Sequence, residues 1–230
     1  MDKFRCASHC LKLKPITLIV TVHYMKLLPL VVLLLFGSIC TAKKHIIFLH
    51  NKFLETHTVN EVHPKYGKVQ LNEIKQKFKK AGFSFLINKR DSSVKPDSAV
   101  NQVIHQIDSI HKLNSKDTIT VIGTSKGGYL AQMVSSKLKN PKINFVFIGC
   151  FQESDLIEYP NINFCGNILT IYEKSDPFGV SAIKRKQTSE LPILNFKEVE
   201  LNTHLNHGFL FQALDSWINP CVKWANNNYK

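Results

Sequence analysis

Short β-branched and aromatic runs alternate with stretches of helical apolar spacing along most of this chain. Residues 44–50, KHIIFLH, form a compact apolar run of the kind a strand covered on both faces shows. Residues 69–81 place Val69, Ile74, Phe78 and Ala81 on one side and lysines on the other, which predicts an amphipathic helix ended by Gly82. Residues 83–87 read as a strand. Pro96 and Asp97 open a helix, with Asp97 as the expected cap and Val100, Val103, Ile104, Ile107 and Ile110 as its stripe. Ile119, Val121 and Ile122 make the next strand, followed by a helix to Leu138. Residues 143–150 and 167–173 are further apolar strands, and residues 196–201 alternate with polar positions, as an edge strand does. Residues 60–68, 151–165 and 203–208 read as loops. Residues 209–226 read as a closing helix that Pro220 bends or restarts. Strands alternating with helices predict an α/β three-layer sandwich, helices covering both faces of a mostly parallel sheet of six strands, with little chain left for a lid.

The first part of the chain does not share this pattern. Residues 16–36 are nearly all apolar, interrupted by His23 and Lys26. Met25-Lys26, the apolar run 27–36 and the small residues before Ala42 have the layout of a secretory signal cleaved near Ala42. Residues 1–24 would then lie upstream of the true start. Two other readings stay open: an uncleaved anchor over 16–36, which approaches a spanning length, and lipidation of Cys40 in a loose bacterial lipobox. The expected organisation is therefore a leader or anchor over 1–42 and one folded domain over 43–230, exported to the periplasm or secreted.

Net charge is +13, but the lysines are dispersed and no dense basic block with interleaved aromatics occurs. Such a surface implies no specific nucleic-acid partner and admits incidental association with anionic membranes or walls. Of six cysteines, Cys150, Cys165 and Cys221 fall in the domain, with no Cys-x-x-Cys spacing to mark a zinc or redox site. Cys150 and Cys165 either pair in an exported chain or join Cys221 as small apolar residues.

Chemistry concentrates after the central strand, in Gly123-Thr124-Ser125-Lys126-Gly127. A Gly-x-Ser-x-Gly turn between a buried strand and a helix is a nucleophile elbow, its glycines required by the tight turn. The turn lifts Ser125 out of the sheet and leaves the N–H of Lys126 free to face an oxyanion. No Gly-Lys-Ser/Thr follows at the Walker offset. A serine hydroxyl needs a base, normally a histidine oriented by a carboxylate. Among 10 histidines, His207 stands after the last strand and before Gly208-Phe209, with His204 as its rival. Asp176 follows the strand at 167–173, and Asp155 is the alternative acid after the strand before it. Lys126 either caps the surface or reaches the mouth of the site, where it would favour acidic substrates.

The order Ser125, Asp176, His207, with IIFLHN at 46–51, GTSKGG at 123–128, YEKSDPFG at 172–179 and LNHGF at 205–209, resembles the α/β-hydrolase superfamily, close to its small, lidless, exported bacterial members. The resemblance implies a serine hydrolase of an ester, thioester or small amide, acting without metal or organic cofactor on a small acyl substrate. It also implies a second oxyanion amide from the loop after the first strand. The usual His-Gly-x is here His50-Asn51-Lys52, which leaves Lys52 as the expected donor and Asn51 as the alternative. A non-catalytic ligand-binding member of the fold, and a phosphate- or nucleotide-binding α/β protein, are the rival readings.

Overall fold

In a computed structural model of the chain, the structure describes residues 42–229. The leader, anchor and lipidation readings, with Cys40 and residues 16–36, lie outside the described residues. Those described carry no helix long and apolar enough to cross a membrane.

The elements follow in chain order as β1 (Lys44–Leu49), a 3-10 turn (Lys52–Glu55), a small antiparallel hairpin β2 (Val62–His63) and β3 (Gly67–Lys68), α1 (Leu71–Lys80), β4 (Ser84–Asn88) and α2 (Pro96–Leu113). Next come β5 (Thr118–Thr124), α3 (Lys126–Leu138), β6 (Asn144–Ile148), α4 (Asp155–Glu158), β7 (Gly166–Glu173) and α5 (Ile183–Thr188). The chain closes with β8 (Ile193–Leu201), a second 3-10 turn (Asn206–Phe211) and α6 (Asp215–Ala225). Six strands form one sheet in the order β4-β1-β5-β6-β7-β8, every pair parallel.

Two cores follow from the period-two alternation of strand side chains. Ile46 and Phe48 of β1 join Ile122, Val146 and Leu169 under α1 and α6, where Phe78, Trp217 and Trp224 are buried. Ile47 and Leu49 of the same strand join Val121, Phe145 and Ile168 under α2 and α3, with Val103, Ile107 and Leu130. A sheet covered on both faces explains why the central strands read as continuous apolar runs. β8 is an outer strand, as its polar alternation predicts.

Several boundaries differ from the expectation. Asp97 is not the cap of α2. Lys95 holds that position with Pro96 first in the helix, and Asp97 lies in the first turn, where its charge favours the helix dipole. α1 starts at Leu71 rather than at 69, because Gln70 is held outside the helix by bonds to the far end of the chain. Its N–H donates to the Phe211 carbonyl at 2.8 Å, and its side-chain oxygen accepts from the Ala213 N–H at 2.8 Å. The closing helix is two pieces, broken at residues 212–214. Pro220 sits inside α6 without ending it. The carbonyl it fails to satisfy, that of Ser216, is in the exposed first turn, where it is open to solvent. The hairpin and the short α4 and α5 are too brief to leave a periodic signal.

The Cys150–Cys165 bridge is also corrected: Cys150, Cys165 and Cys221 are all free thiols. Cys150 follows the carboxyl end of β6, while Cys165 precedes the amino end of β7. In adjacent parallel strands those positions are at opposite edges of the sheet.

Candidate active site

Ser125 is the single residue between β5 and α3, with φ +50° and ψ −123°. A side chain rarely tolerates that backbone, and it persists only where the surroundings enforce it. The Ser125 N–H donates to the Ile148 carbonyl at 2.9 Å, and the Ser125 carbonyl accepts from Gly128 at 2.8 Å and Tyr129 at 3.1 Å. A Cβ at Gly123 would come within 2.2 Å of the Gly127 carbonyl oxygen, and one at Gly127 within 2.1 Å of that of Leu49. Helix and strand therefore approach too closely for any side chain at either position.

A hydrogen-bonded chain runs from this serine. His207 Nε2 is 2.9 Å from Ser125 Oγ, and His207 Nδ1 is 2.6 Å from Asp176 Oδ2. The carboxylate can only accept at Nδ1, so Nδ1 carries a proton, and Nε2 is the nitrogen that faces the serine hydroxyl. Asp176 is held by its own loop: its N–H donates to the Glu173 carbonyl at 2.9 Å, and its Oδ1 accepts from the Phe178 N–H at 2.9 Å. The rivals are elsewhere. His204 bonds through its backbone N–H to Glu173 Oε1 at 3.3 Å, and its φ of +59° marks a turn. Asp155 lines the same cavity, but its carboxylate accepts from the Gln152 N–H at 2.8 Å and meets neither histidine.

Glu173 escapes a sequence reading. It ends an apolar strand and is fully buried, and among the described residues it forms no salt bridge. Its carboxylate accepts from the Thr203 N–H and Oγ1, both at 2.8 Å, and from Ser175 Oγ at 3.0 Å. Burial pushes its carboxyl up, but these bonds outweigh burial and hold it below the usual range. Ser175 Oγ in turn accepts from the Asn206 N–H at 3.1 Å. The loop that carries Asp176 and the loop that carries His207 are thereby stitched together.

On the other flank stand the residues that follow β1. Lys52 and Lys126 are the first residues of their turns, so neither N–H has a partner within its helix, and both residues line the cavity beside Ser125. The Lys126 side chain is not free for an acidic substrate. Its ammonium is 2.6 Å from Glu55 Oε2, and Glu55 Oε1 is 2.7 Å from Arg90 Nε.

His50 is a structural residue. Its Nδ1–H donates to the Asn51 carbonyl at 2.8 Å, and its Nε2 accepts from the Arg90 N–H at 3.2 Å. The neutral ring is satisfied at both nitrogens. Burial first, and then the Arg90 charge beside it, push its pKa from 6.5 down to about 4. Above pH 6.5 the ring is neutral folded or unfolded, so its contribution to stability is complete there. As pH falls from 6.5 to about 4 the unfolded chain takes up a proton that the folded chain refuses. The stability lost to His50 across that window is expected to reach about 3 kcal/mol. Urea unfolding at pH 7 and pH 4.5 measures it, with a flatter profile expected for His50→Gln.

Ser125 and His207 open onto a cavity of about 720 Å³. Near His207 its wall is aromatic: the Tyr66 ring centroid is 6.1 Å and that of Phe178 5.4 Å from the imidazole. Cys150 also lines it, but desolvation pushes that thiol up to about 12, so it stays protonated and is no rival nucleophile. Among the described residues no group of three or more His, Cys, Asp or Glu could hold a metal ion.

No protein-family model matches the sequence, and no curated protein matches it either. Solved structures do. An α/β serine hydrolase without a lid from Xanthomonas campestris is 12% identical, with a TM-score of 0.52 over 84% of this chain and 85% of that one. A dienelactone hydrolase from Anabaena variabilis is 12% identical, with a TM-score of 0.56 over 82% of this chain and 86% of that one. A soluble variant of monoglyceride lipase from Saccharomyces cerevisiae, bound to a substrate analogue, is 8% identical, with a TM-score of 0.57 over 84% and 89%. At such identities the likeness is one of architecture, and it agrees with the strand order and the serine-bearing turn: the chain has the α/β-hydrolase fold.

Proposed function

We propose that this chain is a serine hydrolase that cleaves an ester, thioester or small amide, with Ser125 as nucleophile. The observation that carries the reading is the unbroken hydrogen-bonded line from Asp176 through His207 to Ser125. In the reaction Ser125 Oγ attacks the substrate carbonyl carbon while His207 Nε2 takes the hydroxyl proton. Asp176 fixes the ring and stabilises the imidazolium that forms. The carbonyl oxygen becomes an oxyanion facing the backbone N–H groups of Lys126 and Lys52, each worth a few kcal/mol to such a transition state. His207 then returns the proton to the leaving group, and an acyl-serine remains. Water, deprotonated by the same imidazole, attacks the acyl carbon, and the proton passes to Ser125 Oγ as its bond to the acyl carbon breaks and the acid leaves. The cavity beside Ser125 leaves room for a small acyl group and its leaving group without any lid having to move.

A fluorophosphonate probe tests the mechanism apart from the substrate, because it reacts only with a serine whose hydroxyl is activated. Stoichiometric labelling at Ser125, lost in Ser125→Ala, together with turnover of p-nitrophenyl acetate, is expected. A wild-type chain that neither labels nor turns over would be a ligand-binding member of the fold.

A further inference from the structure

We infer that the Glu55–Arg90–Lys126 ion cluster is the device that sets the oxyanion hole, with Glu55 as its central positioning residue. The role rests on the hydrolase reading above and adds a component to it. The two amides assigned to the oxyanion come from separate segments, Lys126 at the start of α3 and Lys52 at the start of the 3-10 turn after β1. No strand pairing joins those segments at that level. β1 and β5 pair in register only as far as Leu49 with Gly123. Gly127 packs against the Leu49 and His50 carbonyls there, and the side chain that ties the two turns together is that of Glu55, the last residue of the turn that begins with Lys52. One carboxylate oxygen is 2.6 Å from the ammonium of Lys126, and the other is 2.7 Å from Arg90 Nε. The Arg90 guanidinium also donates to the His50 carbonyl at the end of β1. The carboxylate thus binds the side chain of one donor residue to the loop that carries the other, and Arg90 locks that loop to the sheet.

Its burial makes the linkage stiff. The Glu55 and Arg90 side chains are 2% and 1% exposed, and that of Lys126 is 32% exposed. An exposed ion pair would contribute little, but a carboxylate this far out of water is held by its partners, since losing one leaves an uncompensated charge. Two cations on one carboxylate also leave the trio net positive beside the position where negative charge develops. Amide donors stabilise an oxyanion only when aimed at it beforehand, so a shift of either segment costs rate more than it costs binding.

The test is steady-state hydrolysis of p-nitrophenyl acetate by the full chain. Lys126→Met removes the ammonium and keeps the backbone N–H, and Glu55→Gln removes the charge and keeps the shape. Each is expected to lower kcat about 10- to 100-fold with KM little changed, the pattern of an interaction made only in the transition state. A purely structural role would instead lower the melting temperature and leave the kcat of the folded fraction intact. In a Lys52→Pro background, where one donor is already gone, Glu55→Gln is expected to cost little more. Wild-type kcat in both single variants, or the same fold loss in both backgrounds, overturns the role. If Glu55→Gln does not fold, Lys126→Met decides alone. Should the wild-type chain show neither turnover nor labelling, the hydrolase reading itself fails and this role falls with it. Turnover in the wild type with unaffected variants removes this role only.

Discussion

Asparagine in place of Asp176 is expected to lower kcat by about 10⁴-fold while leaving the melting temperature almost unchanged. The two side chains have the same shape, and the amide oxygen can still accept from the Phe178 N–H, which Oδ1 now holds at 2.9 Å. That bond turns the amide NH₂ toward His207 Nδ1, which the carboxylate now faces at 2.6 Å. A donor there forces the proton from Nδ1 to Nε2. The nitrogen 2.9 Å from Ser125 Oγ then carries hydrogen and cannot take the serine proton. The loss falls on kcat because binding does not use this proton. Asp155→Asn is the control: its carboxylate serves the Gln152 N–H, so activity close to wild type is expected. Steady-state kinetics with thermal melts of both variants check the pair, and a large loss in Asp155→Asn with none in Asp176→Asn would reverse the assignment.

Lys52→Pro is expected to lower kcat by about 10²- to 10³-fold, the usual cost of one oxyanion donor. Proline removes a single atom of consequence, the amide hydrogen. Position 52 accepts the ring because it is the first residue of a helical turn, whose N–H has no partner within it. The residue before it, Asn51, has φ −67° and ψ 171°, the extended backbone that proline requires of its predecessor. Little stability is therefore expected to be lost, and a chemical melt confirms that the variant is folded before its rate is read. The comparison also decides between two neighbours. If the donor is the N–H of Asn51, Lys52→Pro keeps its rate.

How much was legible beforehand varies with range along the chain. The elbow could be read because its signal is local: a β-branched run, two glycines around a serine, then helical spacing, all within residues 117–134. Asp176 and His207 could be placed at strand ends because strand ends are where a parallel sheet gathers its chemistry. Helix limits were less legible. Gln70 and Val69 have apolar and polar spacing that continues a helix, and it is a hydrogen bond to residue 211 that keeps them out of it. Residues 212–214 have no helix breaker, yet the chain turns there to lay Phe211 and Trp217 into one core. Glu55, Arg90 and Glu173 carried no signal at all. A carboxylate at the end of a strand or a short turn is usually solvated, and only burial gives these their meaning.

Sequence alone determined the alternation of strand and helix, the apolar character of the central strands and the identity of the serine on its turn. Those are properties of neighbouring residues, set by backbone sterics and the period of side chains along a strand or helix. Tertiary structure decided what residues far apart do together. It paired His207 with Asp176 rather than Asp155, tied the ammonium of Lys126 to Glu55 at the wall of the site, and kept Cys150 and Cys165 at opposite edges of the sheet. The physical reason is that hydrogen bonds and ion pairs act over about 3 Å, and which groups come that close depends on how the whole chain packs.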